Sequence, residues 1–120
     1  ASGRGDEAAT VLLAEILLER GEIEEAGEVL STIPRTGEAA RMASIVELHR
    51  WATTEGDLGT VARDSLGGDG EGALERCLKL IAEGKDAGQA RSLAVSIFAF
   101  LGEADPLTAA YRKRLAAILY

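Results

Sequence analysis

Three places in the 120-residue chain hold residue types that could do chemistry: the run "SLGGDGEGALERC" at 65–77, the lone histidine His49 and the lone cysteine Cys77. A crowd of glycines running into a helix can cradle a phosphate on its free N–H groups. A phosphate loop of that kind needs GxxxxGK[ST] after a strand, and a dinucleotide turn needs GxGxxG between a strand and a helix. Gly67, Gly68, Gly70 and Gly72 meet neither pattern, and Asp69 and Glu71 would repel a phosphate. A calcium loop is excluded by the missing Asp/Asn ladder and distant Glu. The stretch therefore reads as a turn between helices. His49 has no HExxH or second histidine to make it a metal ligand or general base, and Glu47 and Arg50 are only its sequence neighbours. Cys77 has neither a CxxC partner nor zinc spacing, so it reads as a small buried hydrophobe. No residue is expected to be catalytic, to bind a cofactor or to hold a metal.

Three further clusters could bind. Glu22, Glu24, Glu25 and Glu28 sit early in a helix, where negative charge suits the dipole, and read as a solvated face. Trp51 lies on a mostly apolar face and reads as core or edge packing. Near the end, Leu107, Ala110, Tyr111, Leu115, Ile118 and Leu119 form a stripe beside Arg112, Lys113 and Arg114. Either the stripe docks on the preceding helix, with the cations favouring the C-terminal half, or the helix end stays exposed and binds a partner groove.

Composition narrows the classes. Hydrophobic residues make up 47% of the chain, which argues for a folded domain, and the net charge of −7 disfavours nucleic acid and anionic membranes. The longest apolar run, 93–102, is about half the ~20 residues that a membrane helix needs. A single cysteine fits a reducing compartment such as the cytoplasm. "ASGRG" lacks the apolar core of a signal peptide and reads as a linker or cloning remnant at 1–5.

The elements that must position these residues are helices, because Ala, Leu and Glu abound and no β-branched alternation occurs. The spacing predicts helices at about 6–20, capped by Asp6 and ended by Gly21, and at about 23–33, closed by Pro34. Further helices are predicted at about 38–54, 57–66, 71–83, from Asp86 to Leu101 and from Pro106 to near Tyr120. Asp86 and Gln89 form a candidate capping box, and Asp105-Pro106 puts a cap before a first-turn proline. Short connections make the neighbours antiparallel hairpins, so the expected fold is all-α with about six or seven helices.

Two stretches repeat. "GEIEEAGEVLSTI" (21–33) and "GDGEGALERCLKL" (68–80) both open on glycine and place Ala26 and Ala73 five residues later. Leu30 and Ile33 match Cys77 and Leu80. The glycine makes the turn, the alanine lets two backbones approach, and the later residues fill the interhelical groove. With Leu13, Ala14 and Leu17, the segment 12–33 resembles a tetratricopeptide repeat. The ending, "FLGEADPLTAAYRKRLAAILY" (100–120), is similar to that of the thioredoxin-like co-chaperones of the YbbN/CnoX family: Leu101-Gly102, Asp105-Pro106-Leu107, Tyr111-Arg112-Lys113-Arg114 and Leu119-Tyr120. The second unit departs from that pattern, since only 57–66 precedes its turn and Asp64 stands where a large apolar residue belongs.

The resemblance implies a right-handed tetratricopeptide superhelix in one domain: a first repeat at 7–34, a shortened second repeat at 57–84 and a C-terminal helix pair at 86–120. It implies a non-catalytic interaction module of a bacterial, cytoplasmic co-chaperone, binding unfolded clients and a chaperonin or other chaperones. A thioredoxin domain would precede it, and neither nucleic acid nor membrane would be a partner. Carried onto this chain, chaperonin docking falls on Leu115, Ile118, Leu119 and Tyr120. The alternatives are the substrate-positioning tail of a thiol-disulfide oxidoreductase and an oligomerisation scaffold.

Overall fold

The computed structural model describes residues 3–120, with side chains from Asp6 onward. Seven helices follow one another: α1 (Gly3–Glu19), α2 (Ile23–Leu30), α3 (Gly37–Ala52), α4 (Asp57–Leu66), α5 (Gly70–Glu83), α6 (Ala87–Leu101) and α7 (Pro106–Leu119). The described residues contain no strand. Residues 1 and 2 of the expected leader lie outside the described residues, and Gly3 already belongs to α1. Because α1 starts there, Asp6 sits in its first turn and not at its cap. A carboxylate there still suits the helix dipole.

The two repeat turns are built alike. Gly21 and Gly68 both take left-handed backbone, at φ +79° and +101°. The Gly21 N–H donates to Leu18 O at 3.0 Å and the Glu22 N–H to Leu17 O at 2.8 Å. Gly68 and Asp69 repeat the pattern onto Ser65 O and Asp64 O at 3.1 and 2.9 Å. These paired bonds satisfy the last carbonyls of the preceding helix, and the residue that carries them needs positive φ. Gly84 and Lys85 make a third such turn, onto Ile81 O and Leu80 O.

Two residues, Lys85 and Asp86, separate Gly84 from α6, against one after Gly21 and one after Gly68, and Asp86 too is left-handed, at φ 50°. An N-cap side chain reaches the first-turn amides from extended backbone. From left-handed backbone it does not, so the expected capping box is not formed: Asp86 makes no side-chain cap bond. Side-chain caps do form at α5 and α7. Asp69 Oδ1 accepts from the Gly72 N–H at 3.0 Å, and Asp105 Oδ1 from the Leu107 N–H at 2.9 Å ahead of Pro106. Helix α2 stops at Leu30, short of the expected residue 33. The Ser31 and Thr32 hydroxyls donate back to Glu28 O and Val29 O at 2.6 and 2.7 Å, and Pro34 has no N–H with which to continue.

The chain divides into two compact units, 1–46 and 47–120, with the boundary inside α3. In the first, Ala14, Ala26, Leu30, Ala39, Met42 and Val46 are buried together. In the second, α5 packs against α4, α6 and α7. Its core is centred on Leu48, Leu74, Cys77, Leu93 and Ile97, all fully buried. Burying each such side chain stabilises the fold by about 1.5–3 kcal/mol. Ala26 and Ala73, matched in the repeat register, are both fully buried, so there is no room for a larger residue at either close approach.

Helix α4 is held by contacts its own pattern does not announce. A Cβ on Gly59 would stand 1.9 Å from the Thr54 carbonyl oxygen, so the helix meets the preceding loop at backbone distance. The Arg63 guanidinium donates to Ala52 O at 2.8 Å, capping the free carbonyls at the end of α3. Asp64, standing where an apolar residue was expected, is ion-paired to Arg76 of α5.

Candidate protein-binding surface

Helix α7 is fastened along most of its length. The Thr108 hydroxyl donates to Gly102 O at 2.7 Å, closing the turn before the helix. Arg112 grips Glu103 with two bonds, at 2.6 and 2.7 Å, and its guanidinium lies over the Phe98 ring at 5.5 Å. The Tyr111 hydroxyl donates to Glu75 Oε1 at 2.7 Å. Arg114 pairs with the same carboxylate, while lying 4.8 Å from the Tyr111 ring centre. The Arg114 and Tyr111 hydrogen bonds hold the Glu75 carboxyl below its usual range. The bonds from Arg112 do the same for Glu103. Burial, and then the bond to Glu75, raise Tyr111.

Of the two readings of this helix, docking on its neighbours holds as far as Leu119. Leu115 is a core residue, 8% exposed, and Leu107 and Leu119 pack partly buried against the same core. The helix end is different. Ile118 is 40% exposed and Tyr120 95% exposed. Of the four residues singled out by resemblance, Ile118 and Tyr120 stand at the surface, with Leu115 and Leu119 holding the helix beneath them.

Ile118 also forms one wall of a groove of about 440 Å³ between α5 and α7. Leu78 and Ala82 line its apolar part, and Glu75, Arg76, Lys79 and Arg114 its rim. Sequence reading assigned no role to the α5 residues of this groove. The signal was there in their spacing, since Glu75, Leu78, Lys79 and Ala82 recur at i, i+3, i+4 and i+7 and so share one face. A second cavity of about 320 Å³, among Asp57, Arg76, Lys79, Glu83 and Lys85, is largely polar.

The residues first considered for chemistry are placed differently. The glycine stretch is a turn with three distinct demands on it. Gly68 needs positive φ, Gly70 packs against Leu101, and a Cβ on Gly72 would meet the capping Asp69 carboxylate. Cys77 is fully buried, and burial pushes its thiol up to about 12, which leaves almost no thiolate for nucleophilic work at neutral pH. His49 is half-buried on α3, and no cluster of His, Cys, Asp or Glu able to hold a metal occurs among the described residues. Glu24 and Glu25 are exposed in the first turn of α2, and Trp51 packs partly buried at the edge of the second unit's core. None of the described helices is long and apolar enough to cross a membrane.

A family model described as tetratricopeptide repeat matches residues 55–120, from just before α4 to the end of α7. No curated protein and no solved structure matches the chain. Tetratricopeptide domains are typically non-catalytic modules that mediate protein–protein interaction. With an all-α helical-repeat fold and more than half its length matched, the chain belongs to the tetratricopeptide-repeat family.

Proposed function

We propose that this chain is the interaction tail of a bacterial thioredoxin-like co-chaperone of the YbbN/CnoX kind, acting in the cytoplasm and docking a chaperonin through the end of α7. The observation that carries the reading is the pairing of a fastened helix with an open tip. Ile118 and Tyr120 are exposed at the end of a helix whose Leu115 is anchored in the core. A rigid helix presenting apolar and aromatic groups loses little entropy on binding, which suits an anchor.

In this reading 7–34 and 57–84 are the repeats of one domain, the second shortened, and 86–120 is the docking pair. Unfolded clients contact the apolar faces of the helices, and a thioredoxin domain stands N-terminal to them in the whole protein. The support is the C-terminal signature from Leu101-Gly102 to Leu119-Tyr120, together with the tetratricopeptide match over the same residues.

The test is capture of the chain by a bacterial chaperonin, comparing the intact protein with Ile118→Asp and Tyr120→Ala. Both substitutions leave Leu115 in place, so α7 stays folded. Reduced capture by both supports docking through the helix end, and capture equal to that of the intact chain overturns it.

A further inference from the structure

Helix α1 and the groove between α5 and α7 both present apolar surface, the first in acidic and the second in mainly cationic surroundings. On α1, Ala9, Leu12, Leu13 and Ile16 are all exposed, the last three by 58, 46 and 43%. They fall at i, i+3, i+4 and i+7, which is one continuous helical stripe. A helix apolar on both faces belongs inside a structure, yet α1 buries only the face that carries Ala14. Its surroundings are acidic: residues 6–28 contain eight carboxylates and one cation, Arg20.

The groove between α5 and α7 has the complementary character. Its apolar part is Leu78, Ala82 and Ile118. Its rim holds three cations, Arg76, Lys79 and Arg114, beside one carboxylate, Glu75, and α7 carries three cations and no carboxylate. Arg76 and Arg114 are engaged by Asp64 and Glu75, whereas Lys79 makes no ion pair among the described residues.

We infer that the stripe Leu12-Leu13-Ile16 of one copy docks in the α5–α7 groove of a second copy, a head-to-tail contact steered by acidic α1 against cationic α7. Helical repeats gain by stacking apolar faces, and a heterologous contact of this kind joins α1 of one copy to the groove of another. One helix face in one groove buries less than a standard interface, so the association is weak and seen only at high protein concentration. Docking covers Ile118 and therefore competes with the partner proposed above. Sedimentation and chaperonin capture report on the two separately.

The test is sedimentation velocity on the intact chain and on two double variants: Leu12→Asp with Ile16→Asp, and Lys79→Glu with Ile118→Asp. The intact chain is expected to sediment faster as concentration rises from about 5 to 500 µM, with the rise reduced at about 0.5 M salt. Each double variant alone stays monomeric. Their equimolar mixture restores association and stops at a dimer, because only one good face and one good groove remain. Far-UV circular dichroism checks the fold. If either variant loses helix, Glu15→Lys and Lys79→Glu replace them, each expected to weaken association and to restore it together. A chain monomeric at every concentration overturns the inference. So does a groove variant that self-associates like the intact chain, which is the outcome of α1 pairing with α1, and so does a mixture that stays monomeric.

Discussion

The Tyr111 hydroxyl and Glu75 Oε1 lie 2.7 Å apart, joining the middle of α7 to the exposed ridge of α5. Arg114, one turn further on, closes on the same carboxylate. One acidic side chain thus receives two donors from α7, and the stripe ending in Ile118 is held in register over the groove.

Acid should loosen this joint. The Arg114 and Tyr111 bonds keep the folded Glu75 carboxyl below its unfolded value. Its contribution is therefore complete above the ordinary carboxylate range, near pH 4.5, and is lost as pH falls through the lowered value. Urea midpoints measured from pH 7 to pH 3 should fall less steeply for Glu75→Gln than for the intact chain. Tyr111→Phe should cost about 1 kcal/mol at pH 7, the ordinary worth of one hydrogen bond. Parallel curves for Glu75→Gln and the intact chain would refute the role assigned to Glu75.

Gly59→Ala should destabilise by about 1–3 kcal/mol, although alanine is the better helix former. The added Cβ would stand 1.9 Å from a backbone oxygen, Thr54 O, which cannot swing aside as a side chain can. Gly88→Ala is the control, because nothing lies within 4 Å of a Cβ there. It should be neutral or gain up to about 1 kcal/mol. Thermal melts of the two variants, moving in opposite directions, would bear this out.

The contrast shows what sequence can tell. The repeat register was legible because its signals are local. Gly21 and Gly68 need positive φ, and Ala26 and Ala73 recur five residues on. Helix faces were legible from apolar spacing, and the start of α7 from Asp105-Pro106. What stayed hidden lies in contacts between one element and the next: Gly59 against the Thr54 carbonyl, Arg63 on Ala52 O, Asp64 to Arg76. Periodicity reports which face of a helix is apolar, not which polar group the neighbouring helix sets opposite it. Asp64 therefore looked like a defect, and the α5 wall of the groove went unseen.

Arg63→Met should cost about 1 kcal/mol while keeping most of the side chain's bulk. It removes the guanidinium bonds to Ala52 O at 2.8 Å and Thr54 O at 3.4 Å, and the exposed site softens the loss. The effect should appear as faster hydrogen exchange at the end of α3, because the capped carbonyls close its last turn. Unchanged exchange there would mean that water replaces the arginine without cost.

Cys77 gives a direct measure of opening in the second unit. Burial lifts its thiol to about 12, so at pH 8 its thiolate is scarcer than that of a free cysteine by about three orders of magnitude. The reagent must also reach a fully buried sulfur. Alkylation by iodoacetamide should therefore be much slower in the native chain than in urea, and its rate should follow the fraction opened. Fast labelling in native buffer would show that the helices around Cys77 part far more readily than their packing implies.

Ser65 is the place where a substitution should help. Its hydroxyl is buried, 1% exposed, on the face of α4 turned to the core, and finds no hydrogen-bond partner among the described residues. A buried polar group left unpaired costs about 1–3 kcal/mol, and serine is also the poorer helix former. Ser65→Ala removes the hydroxyl without adding volume, so stability should rise by about 1 kcal/mol, or a few degrees in Tm for a chain of this size. Ser96→Ala provides the opposite case at a similarly buried site. Its hydroxyl donates to Glu47 Oε2 at 2.6 Å, and its removal leaves that carboxylate short of a donor. Stabilisation by the first and loss by the second, in one series of urea titrations, would show that pairing rather than burial decides the worth of these two serines. A loss at both positions would mean that the Ser65 hydroxyl has found a partner in solution.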